Sequence, residues 1–446
     1  MRTTKMKRAV AAASALALLL TACGGDDGGA EQTPPAEDDG GDDGTDDDGT
    51  DDDGTDDDGT AAERNVGDGV LTVGTLLPET GSLAFLGPPE FAGAELAVQE
   101  INEAGGVLGE DVVLIQGDSG DTTTDIANQT VDRLLSQGAD VIVGAASSAV
   151  SFTVIDKIVS AGVVQFSPAN TSAEFTTYDD DGLYFRTAPS DILQGQVLGE
   201  LIVEEGNATV GIMALQDAYG EGLADTIEET VTDSGGEVVE KIIYDPQAQN
   251  FDAEVQQLVD ADPDAIAVIG FDESARILTA LFEAGIGVDN KTIYGSDGNM
   301  GNALGENFTD NPHAISGMKG TTPLSELDDT FQQRLLEVDP DLSDFNYASE
   351  TYDAIIVTAL AVIAADSDVP SEFAKEIPGV TKDGTQCTEF AECKELLEAG
   401  EDIDYVGKSG PIELDDVGDP SSASFAILVF NDEAVLDTER YIIAGG

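Results

Sequence analysis

A chain of 446 residues with 41% apolar content has room for two or three domains with real cores, yet its formal charge is -72. Residues 24–60 hold 17 acids and no base and the first 8 residues hold 4 bases, so residues 61–446 keep 73 acids against 14 bases and the folded part itself is strongly negative. Such a field repels phosphate backbones and anionic headgroups, which excludes nucleic acid as a partner and leaves a solvated coat suited to high salt, or attraction of a cationic ligand, as its readings.

Along the chain, Arg2, Lys5, Lys7 and Arg8 precede an apolar run over 9–20 that is short for a bilayer span, so residues 1–22 read as a secretory signal. The run ends in Leu20-Thr21-Ala22-Cys23, which resembles the lipobox of bacterial lipoproteins. That resemblance implies an acylated Cys23 as the first mature residue, holding the chain to the outer face of the cell membrane. Residues 23–67 follow as a tether, with Asp-Asp-Asp-Gly-Thr repeated at a period of five and too little apolar surface for a core. About 40 flexible residues span roughly 35 Å, and like charges extend them further. The Asp-rich loops depart from the EF-hand spacing and lack a closing glutamate, so no metal site is expected. Cys387 and Cys393 are expected to form a disulfide in an exported protein; zinc would need two further ligands in a chain with one histidine.

From Val70 onward, apolar runs alternate with amphipathic stretches. Strands are expected over 71–77, 112–116, 141–144 and 163–166, with helices over 90–104, 124–137 and 150–161 and a pairing segment near Tyr184. After a helix over 192–205 the alternation restarts, with strands over 209–214, 237–244, 265–269 and 292–294 and helices over 222–232, 253–260 and 274–284. A long apolar helix over 352–365 and strands over 411–414 and 425–430 complete these two units. The pattern predicts an α/β fold class with two Rossmann-like lobes, each a parallel sheet flanked by helices. The expected division is 68–189 plus 320–411 for the first lobe and 190–319 plus 412–446 for the second. The crossings near Pro189, Gly320 and Pro411 form a hinge.

Open α/β sheets bind ligands beyond the carboxyl ends of their strands, so two facing lobes make a cleft. That rule selects the loops 145–148, 167–171, 216–219, 270–272 and 295–298. Ser148 opens one helix, and Thr171 with Glu174 fits a capping box on the next loop, so two neighbouring helix starts are ready for an anion. Asp297 in Gly295-Ser296-Asp297-Gly298 offers a carboxylate to a cationic group. Tyr219 and Phe271 supply flat apolar surface. Opposite signs on the two lobes suit a zwitterion.

With these residues in place, the chain from Leu71 to its C-terminus resembles the type I solute-binding proteins of branched-chain amino acid ABC transporters. The resemblance is carried by Gly93-Ala94-Glu95-Leu96-Ala97, Ile101-Asn102-Glu103-Ala104-Gly105-Gly106, Ser167-Pro168-Ala169-Asn170-Thr171, Tyr219-Gly220-Glu221-Gly222 and Gly295-Ser296-Asp297-Gly298, in this order and spacing. It implies the type I periplasmic binding protein fold, hinge closure on a small solute, delivery to an ABC permease, a monomer, and no cofactor. It also implies the site residues. Ser148 would meet the α-carboxylate and Thr171 both polar groups, the Ala169 carbonyl would meet the ammonium with Asn170 also among the ligand-binding residues, and Asp297 would pair it, with Tyr219 and Phe271 closing over the ligand. Two departures stand out. Leu86 occupies a position that is aromatic in the leucine-type receptor, and Asp297 is one methylene shorter than that receptor's glutamate. Related receptors take amides, urea and aromatic acids, and a sensor or scavenger would have the same cleft. An enzyme is not expected: a hydrolase triad would have to use His313, the one histidine, in a loop-like Asn-Pro-His context without a nucleophile elbow.

Overall fold

The computed structural model describes residues 67–445. The signal, Cys23 and the tether through residue 66 lie outside the described residues.

Short apolar runs, most of them buried on both faces, build the first sheet, and strands of that kind pair in parallel when helices cover them. Its strands are β1 (Thr72–Leu76), β2 (Val113–Ile115), β3 (Val141–Gly144), β4 (Val164–Ser167) and β5 (Tyr184–Arg186), in the order β2-β1-β3-β4-β5 and all parallel. The period of two is visible in β3: Val141 and Val143 join one core cluster while Ile142 joins another. On one face pack α1 (Gly87–Glu103) and, from late in the chain, α11 (Ala348–Ala365); on the other pack α2 (Ile126–Ser136), α3 (Ser148–Phe152) and α4 (Ile155–Ser160). The expected single helix over 150–161 is thus two short ones, divided at Thr153 and Val154. The approach of α1 to α11 depends on Gly93, where a β-carbon would sit 2.2 Å from the Ala348 carbonyl oxygen.

The second sheet repeats the winding. β6 (Thr209–Leu215), β7 (Glu237–Tyr244), β8 (Ala265–Ile269), β9 (Thr292–Gly295) and β10 (Lys319–Pro323) lie in the order β7-β6-β8-β9-β10, parallel throughout. β11 (Thr385–Cys387) and β12 (Ile403–Tyr405) form a small separate pair, with Cys387 bonded to Cys393. The chain then returns through β13 (Ser422–Phe430) and β14 (Leu436–Gly445), which add antiparallel to the β10 edge. Helices α5 (Asp191–Glu204), α6 (Ala218–Asp233), α7 (Asp252–Ala261) and α8 (Ser274–Glu283) cover this sheet.

The crossings differ from the expected ones in two places. The first runs through Thr187–Ser190 and includes Pro189, but Gly320 lies inside β10, so the second crossing follows Pro323. Lys-Gly-Thr-Thr-Pro has no apolar alternation, and its strand is recognisable only from the paired neighbours. Ile412 and Leu414, expected as a strand that opens the return to the second lobe, instead plug the first lobe's core, and the third crossing falls just before Ser422.

Candidate functional site

Asp297 follows β9, at the carboxyl end of the second sheet, and is 5% exposed. Its Oδ1 accepts from Gln194 Nε2 at 2.8 Å and from the Tyr219 hydroxyl at 2.9 Å, and its Oδ2 accepts from the Tyr347 hydroxyl at 2.9 Å. Burial pushes its pKa up while those donors hold it down. The donors come from three places: α5 after the first crossing, the start of α6, and the turn that leads into α11. Gln194 also reaches Thr321 on β10, tying the site to the second crossing.

Tyr219 is held by more than Asp297. Its hydroxyl lies 2.7 Å from Ser296 Oγ and accepts from the Gly298 amide at 3.3 Å, and its ring stacks on Phe271 with centroids 5.5 Å apart. Phe271 is positioned by Glu273, whose Oε1 accepts from the Phe271 amide and from the Tyr244 hydroxyl. Asn299 clamps the 295–298 loop: its Oδ1 accepts from the Ser296 amide and its Nδ2 donates to the Val268 carbonyl and Ser274 Oγ.

On the first lobe, Ser148 and Thr171 are buried side by side in the structure of the loops after β3 and β4. Ser148 Oγ accepts from the Ser172 amide at 3.2 Å, and the Thr171 carbonyl accepts from the Asp191 amide at 2.6 Å. The expected capping box is replaced: Ser172, not Thr171, caps the 3-10 turn Ala173–Thr177 by accepting from the Glu174 amide. Ala169 is buried at the cleft, its amide held by Ser167 Oγ. Asn170 is a scaffold residue. Both of its amide protons go to the carbonyls of Ala145 and Ala146 and its Oδ1 accepts from the Tyr184 hydroxyl, which leaves it no donor for a solute. Behind this loop Arg186, fully buried, makes a bidentate pair with Asp419 and donates through Nη1 to the carbonyls of Asn170 and Ser172. Leu86 and Leu83 pack into the same cluster as Tyr219, Phe271 and Tyr347.

Sequence reasoning missed three residues here: Gln194, Tyr347 and Asp191. Asp191 is fully buried, and neither carboxylate oxygen makes a hydrogen bond of accepted geometry, although the Thr171 hydroxyl beside it moderates its pKa. Burial first, and then the charge of Asp297, push that pKa well above the carboxylate range. Gln194 Oε1 is also buried without a donor. The heart of the site is therefore lined by acceptors, three of them without partners, and its nearest guanidinium, Arg186, is already neutralised by Asp419. Openings of about 80 Å³ and 280 Å³ are both lined by Ser82, Phe271 and Asp272. A wider hollow of about 860 Å³ lies among Tyr178, Lys375, Lys382 and Val417, apart from these residues. His313 is surface-exposed and bonds Asp289 at 2.7 Å, with no serine in contact.

The sequence pattern of the family described as periplasmic binding protein matches residues 70–390. Leu/Ile/Val-binding protein homolog 3 of Brucella melitensis biotype 1 is 26% identical over 383 residues, 83% of this chain and 94% of that protein. The branched-chain amino acid transporter substrate-binding protein LivJ of Streptococcus pneumoniae, solved with isoleucine, superposes with a TM-score of 0.69 at 22% identity, covering 84% of this chain and all of that one (100%). A solute-binding protein of an ABC transporter from R. palustris, solved with benzoate, gives 0.67 at 19% identity, covering 85% and 98%.

Proposed function

The chain belongs to the periplasmic binding protein family, in its type I, branched-chain amino acid branch, and from that premise we propose that it captures a free α-amino acid with an apolar side chain and presents it to an ABC permease. One observation carries the choice of ligand: two buried carboxylates, Asp297 and Asp191, lie close enough for one charge to act on the other, and the cation that acts on Asp191 among the described residues, Arg186, is already paired with Asp419. A buried charge left without a partner costs several kcal/mol, and an ammonium with three N–H donors relieves both groups and the orphaned Gln194 oxygen at once. The ligand's carboxylate then meets the hydroxyls and backbone amides at Ser148 and Thr171, and its side chain meets Leu86, Tyr219 and Phe271. Closure follows because each end of the ligand belongs to a different lobe, so only the closed state contacts both.

The aromatic-acid reading draws on the benzoate-bound structural neighbour and on the Tyr219–Phe271 stack. It brings a third negative charge to the cleft and no cation. Titration calorimetry separates the two. Leucine, isoleucine and valine are expected to bind while benzoate, urea and simple amides give no heat; binding of benzoate alone would overturn the amino-acid reading.

The same proposal includes the anchor. The sequence around Cys23 supports a lipoprotein held at the outer face of the cell membrane by its acyl chains, with the acidic tether as its leash.

A further inference from the structure

Behind the cleft, α1 and α11 both begin close to the site and pack against one another, with Gly93 against Ala348 and the Tyr352 hydroxyl donating to Glu100 Oε2 at 2.7 Å. Between their first turns lie two glutamates that take no part in the solute reading. Glu90 is fully buried and neither of its carboxylate oxygens has a hydrogen-bond partner. Glu350 is 2% exposed; its Oε2 accepts from the neighbouring Ser349 hydroxyl at 3.0 Å, and its carboxylate also takes a hydrogen bond from its own backbone amide. The titratable groups that act on the pair are acids and a phenol: Glu350 on Glu90, Asp353 on Glu350, and Tyr347 beside Glu350. Asp353 is itself occupied by the Tyr405 hydroxyl, the amides of Lys408 and Ser409, and the Ser409 hydroxyl. No lysine, arginine or histidine contributes to the surroundings of either glutamate among the described residues.

Two buried carboxylates cannot both be ionised at a dry site without a cation, and protonation removes the conflict. We infer that Glu90 and Glu350 are held protonated at neutral pH, so that the packing of α1 on α11 behind the cleft is a proton-dependent latch. The latch bears on the cleft through α11. Tyr347, three residues before Glu350, reaches Asp297, and the Glu350 carbonyl accepts from Thr187 on the first crossing. Charging the pair forces the two helix starts apart at the point where both lobes meet.

The direction of the pH effect follows from the raised pKa values. Burial lifts Glu350 from 4.5 to about 8 and lifts Glu90 well above its ordinary value. A carboxyl raised in the folded state gives its full contribution to stability below pH 4.5 and loses it as pH climbs toward about 8. Thermal melts of the solute-free full chain test this with Glu90→Gln, which keeps the shape and cannot ionise. Its Tm should match the parent at pH 5 and exceed it by at least about 3 °C at pH 8.5. Glu350→Gln should give the same crossing pattern, and the infrared absorption of protonated carboxyls at pH 7 should lose intensity in Glu90→Gln. Asp191, Asp217, Glu273 and Asp297 titrate in parent and variant alike and cancel in the difference. A Tm for both variants equal to or below the parent at every pH would overturn the inference, as would a gain of parent stability at pH 8.5 on adding sodium, potassium or calcium that the variants lack, since a bound cation would then stand where we place the proton. None of these outcomes depends on which solute the cleft takes.

Discussion

Replacement of Asp297 by alanine is expected to weaken amino-acid binding by about 3 kcal/mol, roughly a hundredfold in Kd. The residue is the meeting point of three donors from separate stretches of chain, Gln194, Tyr219 and Tyr347, which hold its carboxylate in place. An ammonium placed against it exchanges water for a preformed charge partner in a dry site, and loss of that partner leaves the cation buried with only Asp191 to answer it. Asp297→Asn separates charge from shape, since the amide keeps the side chain's volume while losing the negative charge. Both variants should fold, because removing an acid from an already acidic cleft relieves repulsion on Asp191. Calorimetry reads the effect; a change under about 0.5 kcal/mol, the scale of an ordinary surface substitution, would place the ammonium elsewhere.

Cys23→Ser is expected to move the protein almost completely from the membrane into the medium. Each buried acyl methylene contributes about 0.8 kcal/mol, and two chains hold a protein where one is marginal. Among the described residues nothing substitutes for them. The long apolar helix Ala348–Ala365 has 83% of its length buried in the first lobe's core, so it is no second anchor, and a formal charge of -72 is repelled by anionic headgroups. Fractionation of cells expressing the variant reads the outcome, and retention of the serine form on salt-washed membranes would refute the anchor.

The alternation of sheets and helices was legible because β-branched runs such as Val141-Ile142-Val143 are buried on both faces and bounded by turn residues. Elements held by long-range pairing were not. Lys319–Pro323 becomes a strand only because β9 and β13 flank it, and β14 is mostly exposed, with a charged Asp-Thr-Glu-Arg stretch that carries no alternation. At the candidate site, the residues on loops after strands were proposed from the general rule for open sheets. The three missed ones lie outside that rule. Asp191 follows a serine N-cap and looks like any first-turn acid, Gln194 faces the cleft from inside a helix, and Tyr347 reaches Asp297 from a left-handed turn with φ of 60°. Asn170 sits in the expected loop, but its amide protons go to the Ala145 and Ala146 carbonyls while its Oδ1 accepts from the Tyr184 hydroxyl.

The whole account turns on where the two ends of one small solute lie, and a crystal structure of the protein grown with leucine measures that directly. The account predicts the leucine carboxylate within hydrogen-bonding distance of Ser148 and Thr171 and its ammonium between Asp297 and Asp191. Leucine bound outside the cleft, or lying in it with its carboxylate turned toward Asp297, would contradict it.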